Sequence, residues 1–371
     1  MPAAAPPPAP ASPRAPAPHP APASLSEAGP DAAHALATER AWCREALLRV
    51  SRTFALNIRC LSGRMLESVR LAYLLCRAAD ALEDSWPGPA PEIRARFDAL
   101  IAALHGDAAA AASLAAGATA QGPRADLAVL GRLPTLLKVL SALAADDAAD
   151  VRLCVQTMAF GMRRYAGRAA ERGAREPYLD DDAELHDYCY VVAGCVGEML
   201  TRLVSRGLAD DTVARYERRL ALAPVVGEAL QLTNILLDWP VDLRGGRCHV
   251  PRSWLDRHGL SPRDLIAPSS AARELSLRLA GLAHAALDRV PDYMDTLPTS
   301  EHRYRLFCLL PTLWARASLD LSLSRQDFHS RAHRPRLTRP SILWQAALGV
   351  LAHGGHGATR RVLGRRALTP A

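Results

Sequence analysis

The sequence predicts an all-α protein, and three observations carry that prediction. Ala, Leu and Arg, all good helix formers, dominate the 371 residues, whereas Phe, Trp and Tyr together make up only 5%. Apolar residues recur with a helical period from Ala35 onward. Gly and Pro breaks divide that pattern near Gly63, Pro87 to Pro91, Gly117 to Pro123, Gly173 to Pro177, Gly245 to Pro251, Pro268, Pro291 and Pro298. With 49% hydrophobic residues the chain can bury a large core, which excludes a disordered or fibrous protein.

Residues 1–33 alternate Pro and Ala with almost no large apolar side chain, so they are expected to form a disordered tail. Residues 34–330 hold the continuous helical signals and form one domain; no repeat of solenoid period is present. Within it, the Ala-rich stretch from Asp107 to Ala120 reads either as a helix or as a loose connection. Residues 331–371 are basic and contain a short apolar helix candidate, Ile342 to Leu351. That helix is too short to span a bilayer and would either lie on a membrane or pack on the core, with Arg360, Arg361, Arg365 and Arg366 beside it.

The formal charge is 45 − 38 = +7, and Lys138 is the sole lysine. Arginines are interspersed with acids along most of the chain, without the clustered basic element and aromatics that nucleic-acid binding requires. No nucleic-acid partner is expected, while phosphorylated substrates and anionic membranes suit arginine forks. The eight cysteines form no C-x-x-C pair and read as buried free thiols of a reducing compartment. No apolar run reaches the ~18 residues of a spanning helix and no signal peptide opens the chain. A cytoplasmic protein with at most peripheral membrane contact is the expectation.

Two segments combine an apolar helix with an acidic stripe. In RMLESVRLAYLLCRAADALED, Tyr73, Arg77, Asp80 and Asp84 share one helical face while Leu71, Leu74, Leu75, Cys76 and Ala79 cover the others. In ALQLTNILLDWPVDLRGGRCHVP, Gln231, Asn234, Asp238 and Asp242 do the same. One D-x-x-x-D pair is usually a solvated face, but two on apolar helices point to facing walls of a cavity. Carboxylates buried in apolar surroundings need neutralising, and Mg²⁺ is the usual hard partner of oxygen ligands. Mg²⁺ and Arg together can clamp a departing diphosphate, and a dry apolar pocket protects the resulting carbocation. Ionisation of an allylic diphosphate fits this combination.

With SRTFALNI at Ser51, YLLCRAADALED ending at Asp84, YCYVVAGCVGEMLTRL from Tyr188 and QLTNILLDWPVDLRGGRCHVP from Gln231, the chain resembles the squalene and phytoene synthases over roughly Ala35 to Leu321. The resemblance implies a single-domain isoprenoid-synthase-type helical bundle with a central cavity. It implies that Asp80, Asp84, Asp238 and Asp242 coordinate Mg²⁺ with help from Gln231 and Asn234. Ser51, Arg52, Arg77 and Arg247 would contact diphosphate oxygens, and Tyr73 and Tyr188 would line the reacting centre. Ala193, Val196 and Gly197 would border the channel for the isoprenoid tail. Simpler roles stand beside these: tight helix packing for AGCVG, helix capping for Ser51 and a surface ion pair for Arg52.

Two features depart from the family pattern. Pro240 inside the second D-x-x-x-D is expected to kink or end its helix. His249 stands where the family commonly has an aromatic residue, and a surface loop position suits it equally. The segment YRLFCLLPTLWARASLDL, from Tyr304, resembles the F-C-x-x-P region of squalene synthases, and RAHRPRLTRPSI resembles the basic stretch that follows it. By that analogy Arg334, Arg336 and Arg339 would hold NADPH phosphate, with a solvated basic loop as the alternative. The implied function is condensation of two farnesyl diphosphates through a cyclopropylcarbinyl diphosphate, followed by NADPH reduction to squalene. Phytoene from geranylgeranyl diphosphate, dehydrosqualene, a hydroxylated product or a cyclised one are alternatives, as is a non-catalytic scaffold. Intact acidic stripes argue against the scaffold.

Overall fold

The computed structural model describes residues 30–325, 327–330 and 333–364, and among them helices are joined by short loops with no strand. The Pro/Ala-rich stretch up to residue 29 lies outside the described residues, as do Arg365 and Arg366. In chain order the helices are α1 (Pro30–Val50), α2 (Arg52–Ile58), α3 (Gly63–Asp84), α4 (Ala90–Leu104), α5 (Ala108–Ala120), α6 (Ala125–Leu130), α7 (Leu133–Ser141) and α8 (Ala145–Arg172). They continue as α9 (Asp182–Cys189), α10 (Cys195–Ser205), α11 (Val213–Arg244), α12 (Arg252–Asp256), α13 (Ser270–Leu287), α14 (Val290–Asp295), α15 (His302–Leu323), α16 (Arg339–Ala352) and α17 (His356–Leu363).

Local chemistry sets many of these boundaries. Ser51 Oγ accepts from the Phe54 amide at 3.2 Å and starts α2. Asp107, Asp181, Thr212, Ser269 and Thr338 cap α5, α9, α11, α13 and α16 in the same way. The Ala-rich stretch is thus a helix, with Asp107 accepting from Ala110 N at 2.9 Å. Gly173 ends α8 at φ +68°, a backbone conformation that other side chains rarely adopt.

Two apolar cores build the molecule. The first joins α1 to α8, α10 and residues of α14 and α15, with Leu74, Leu75, Leu82, Phe97 and Val155 fully buried. The second gathers α9, the later half of α11, α12, α13 and the end of α15 around Trp254, Tyr165 and Leu236. All eight cysteines are free thiols, six of them buried. Contrary to the hydropathy expectation, α11 and α15 each contain an 18-residue window of mean hydropathy 1.5 and 1.3; half or more of each window is buried.

Pro240 does not end its helix. The structure carries α11 through both Pro224 and Pro240 to Arg244. Beyond Pro240 the final turn is held by Gly245 N on Val241 O at 2.9 Å and Arg247 N on Asp242 O at 2.8 Å. Trp239 and Pro240 are both buried, and Trp239 Nε1 donates to Leu265 O at 3.4 Å. Packing and capping therefore outweigh the one lost donor, and Asp238 and Asp242 remain one helical turn apart.

Residues Tyr190–Gly194 form a single π turn between α9 and α10. A Cβ at Gly197 would overlap the Ala223 carbonyl, and one at Gly227 would overlap the Ala193 carbonyl. The AGCVG segment is thus tight helix packing against α11. The apolar C-terminal helix, α16, packs on α15 through Gly349, 3.2 Å from Leu310 for a built Cβ, and leaves Leu343, Trp344, Val350 and Leu351 exposed. Arg305, fully buried, ties this end down by donating to the carbonyls of Met294, Leu297 and His353 and to Thr359 Oγ1.

Candidate active site

A cavity of about 470 Å³ runs between α3, α8, the π turn, α10, α11 and α15, and is bordered by members of both cores. Its body is apolar, with Ile58, Val69, Met158, Met162, Met199 and Phe307 among the lining side chains. From Val69 to Asp84 it follows roughly 22 Å of α3, at 1.5 Å per residue. The carboxylates stand at the C-terminal ends of α3 and α11.

Those two ends meet through one arginine. Arg247 donates to Asp84 and, at 2.8 Å, to Asp242, so the acidic stripes predicted from sequence face each other. Arg77 donates to Asp80 at 3.0 Å, and Arg334 reaches both oxygens of Asp238 at 3.1 Å. The Nε of Arg77 is buried without a hydrogen-bond partner, a donor directed at nothing in the protein itself.

Burial dominates the electrostatics. It raises the Asp80 carboxyl to about 6, the nearby Arg77 only partly offsetting the effect, and raises Glu83 to about 8 with help from Asp84 and Asp80. Asp238 and Asp242 are also raised, again first by burial, against Arg334 and Arg247 respectively. Carboxylates this costly to ionise, on two facing helices, make a hard-oxygen donor set whose charge a divalent cation would relieve. Among the described residues no group of three His, Cys, Asp or Glu side chains is drawn together as a ready metal cluster; arginines stand between the acids.

Of the residues singled out from sequence, Tyr73, Arg77, Asp80, Asp84, Tyr188, Ala193, Val196, Gly197, Gln231, Asn234, Asp238, Asp242 and Arg247 all line this cavity. The two readings of AGCVG hold together, since the small residues that let α11 approach also border the cavity. Ser51 caps α2 and lies close enough to Tyr73 to lower its phenol, although burial of Tyr73 has the larger, opposite effect. Arg52, Arg336 and Arg339 are exposed and off the cavity, and Arg334 is engaged with Asp238.

Sequence reasoning missed Glu83, Asn57, Tyr304 and Phe307, all of which line the cavity. Glu83 carried a signal, sitting one helical turn from Asp80. The surface position allowed for His249 is corrected: its side chain is only 10% exposed, on the cavity wall, with Nε2 2.9 Å from Tyr178 Oη and 3.2 Å from Tyr188 Oη. The C-terminus of α11, bonded to Arg247 on the same loop, draws it inward.

Among the described residues an all-helical bundle thus holds an apolar cavity closed by two facing acidic pairs and arginines. Residues 47–341 match the family model for squalene/phytoene synthase, and the chain belongs to that family. Human squalene synthase is 26% identical over 296 residues, 79% of this chain and 66% of the human protein. Phytoene synthase of Thermus thermophilus is 38% identical over 176 residues, 46% of this chain and 56% of that protein. Among solved structures, TcSQS bound to BPH1237 superposes with a TM-score of 0.73 at 24% identity, covering 90% of this chain and 94% of its own. A dehydrosqualene synthase superposes at 0.59 with 20% identity, covering 85% and 96%. The chain thus spans just under two thirds of the human squalene synthase, and the two structural likenesses support the fold alone.

Proposed function

We propose that this protein is a prenyltransferase that joins two farnesyl diphosphates head to head through a cyclopropylcarbinyl diphosphate and then, with NADPH, reduces the product to squalene. The observation that carries the reading is the polar end of the cavity: facing acidic pairs bridged by Arg247, and a buried Arg77 Nε lacking a partner. Asp80, Asp84, Asp238 and Asp242, with Gln231 and Asn234, would hold Mg²⁺, and Glu83 sits among them. Bound Mg²⁺ would offset the charge of the departing diphosphate.

The protein's own residues account for the rest. Arg77 and Arg247 turn from carboxylates to diphosphate oxygens, which raises their hold as negative charge grows on the leaving group. Tyr73 and Tyr188 flank the carbon that becomes positive. The methionine and aliphatic walls exclude water, so the second substrate's double bond attacks the cation in place of a water molecule. The F-C-x-x-P segment on α15 and the longer match to squalene synthase favour the reductive branch. Arg336 and Arg339, both exposed, would meet the NADPH phosphates. Peripheral contact with an anionic bilayer belongs to the same reading: the exposed apolar face of α16 lies between exposed Arg339 and Arg361 and suits a lipid-like product.

The test is product analysis with farnesyl diphosphate and Mg²⁺, with and without NADPH, beside geranylgeranyl diphosphate. Squalene formed only with NADPH is the expected result. A C40 product, or one independent of NADPH, moves the protein to the phytoene or dehydrosqualene branch. Asp80→Asn should abolish diphosphate release while the helical signal is kept, and full activity in that variant would overturn the site.

A further inference from the structure

His249 stands at the centre of a three-ring cluster. Its ring packs edge-on against Tyr178 at 4.9 Å and tilted against Tyr188 at 5.2 Å, with both phenol oxygens on the same imidazole nitrogen, Nε2. The other nitrogen, Nδ1, faces Asp242 Oδ2 at 3.6 Å. A lone pair on Nδ1 would be turned toward a carboxylate, so Nδ1 carries the ring proton and Nε2 is left as the acceptor. Each phenol has a single hydrogen to give, and the two share that one lone pair as a three-centre bond, Tyr178 at 2.9 Å and Tyr188 at 3.2 Å. Tyr178 is buried behind the wall at 2% exposure, whereas Tyr188 lines the cavity.

We propose that His249 is a positioning residue, drawing the hydroxyl hydrogen of Tyr188 into the wall so that the remaining lone pair of the phenol oxygen faces the cavity. This rests on the function proposed above, because the lone pair then meets the carbon that turns positive when an allylic diphosphate ionises. A dipole fixed before ionisation stabilises that charge without reorganising. An aromatic hydrocarbon at position 249 offers no acceptor in the ring plane. The Tyr188 hydrogen would then be free to turn toward the cation, the wrong sense for stabilising it. Tyr178, deprived of its acceptor, would be left with a buried donor.

The experiment compares the full-length protein with His249→Phe and His249→Gln. Gln keeps a carbonyl acceptor near the phenols, whereas Phe keeps a ring and loses the acceptor. With each rate measured well below that variant's own melting temperature, the Phe variant should lose about tenfold or more in kcat at nearly unchanged KM. The Gln variant should recover most of that loss. Equal kcat in wild type and His249→Phe, or equal damage in both variants, overturns the proposal. Nitrogen-15 NMR of the histidine in unliganded protein gives a readout independent of turnover: Nδ1 protonated and Nε2 unprotonated is expected, and the reverse tautomer overturns it. If wild type releases no diphosphate while the tautomer is as expected, the proposed reaction fails and the hydrogen-bond assignment stands.

Discussion

Asp180 shows how a surface carboxylate differs from those in the cavity. Arg172, at 2.8 Å, together with Arg168 and Arg252, holds its carboxyl below the ordinary value of 3.8, whereas burial holds Asp80 above it. With the folded value depressed, the unfolded chain binds more protons on the acid side. The stabilisation is complete above the ordinary value and is lost as pH falls through the folded one. Urea midpoints measured from pH 6 downward should therefore drop below about pH 4, and Asp180→Asn should make that drop shallower. An unchanged acid limb in the variant would remove Asp180 from the account. The cavity acids were visible in the sequence because their spacing of four on apolar helices is a one-dimensional signal. Glu83 was passed over beside Asp84, and His249 was left open because nothing in a loop sequence says which way its backbone turns.

Elements were legible where their signals are local. The stripes on α3 and α11 follow from a 100° turn per residue, and Ser51 and Asp107 cap helices as short polar residues before apolar runs do. Pro240 misled because its cost is local while the forces that outweigh it, burial of Trp239 and the closing turn at Gly245, come from tertiary contacts. The π turn at Tyr190–Gly194 left no spacing to read. Its packing makes a sharp prediction. Gly227→Ala would drive a methyl into the Ala193 carbonyl, backbone against backbone, and should cost about 1–3 kcal/mol. Chemical denaturation would read this as a lower midpoint with an unchanged slope; a wild-type midpoint would mean the two segments separate freely. Because Ala193 and Gly227 both border the cavity, the same variant should also weaken substrate binding.

Across the whole molecule, the cavity's charges are balanced by arginines drawn from distant stretches of chain, Arg77 from α3, Arg247 from the loop after α11 and Arg334 from the segment before α16. A diphosphate and its counter-ions would replace these pairs together. Inorganic diphosphate with Mg²⁺ should raise the melting temperature more than either alone, and at a hundred times its Kd the ligand stabilises the fold by about 2.7 kcal/mol relative to ligand-free protein. Equal shifts from diphosphate with and without Mg²⁺ would detach the acids from metal binding. The apolar face of α16 gives a second test at this scale. Because Trp344 is 52% and Leu351 80% exposed, replacing both with Gln should leave the melting temperature unchanged and release the protein from anionic vesicles; persistent binding would place the contact elsewhere. Helical class was readable from composition and periodicity, and the bundle with its central cavity only through the family resemblance. The division into two cores was not, since Tyr304 and Leu363 join the first core across more than half the chain.

The bridge from Arg247 to Asp84 spans 163 residues and forms only where the two cores meet. A contact of that span is expected to close late, once both cores have begun to consolidate, because it must pay the closure entropy of a very long loop. A ligand that grips both acidic walls therefore recognises something the folding transition state does not yet contain. It would slow the rate at which the finished protein comes apart while leaving the rate of its formation unaltered, so that substrate supply in the cell governs how long each molecule survives rather than how readily it is made.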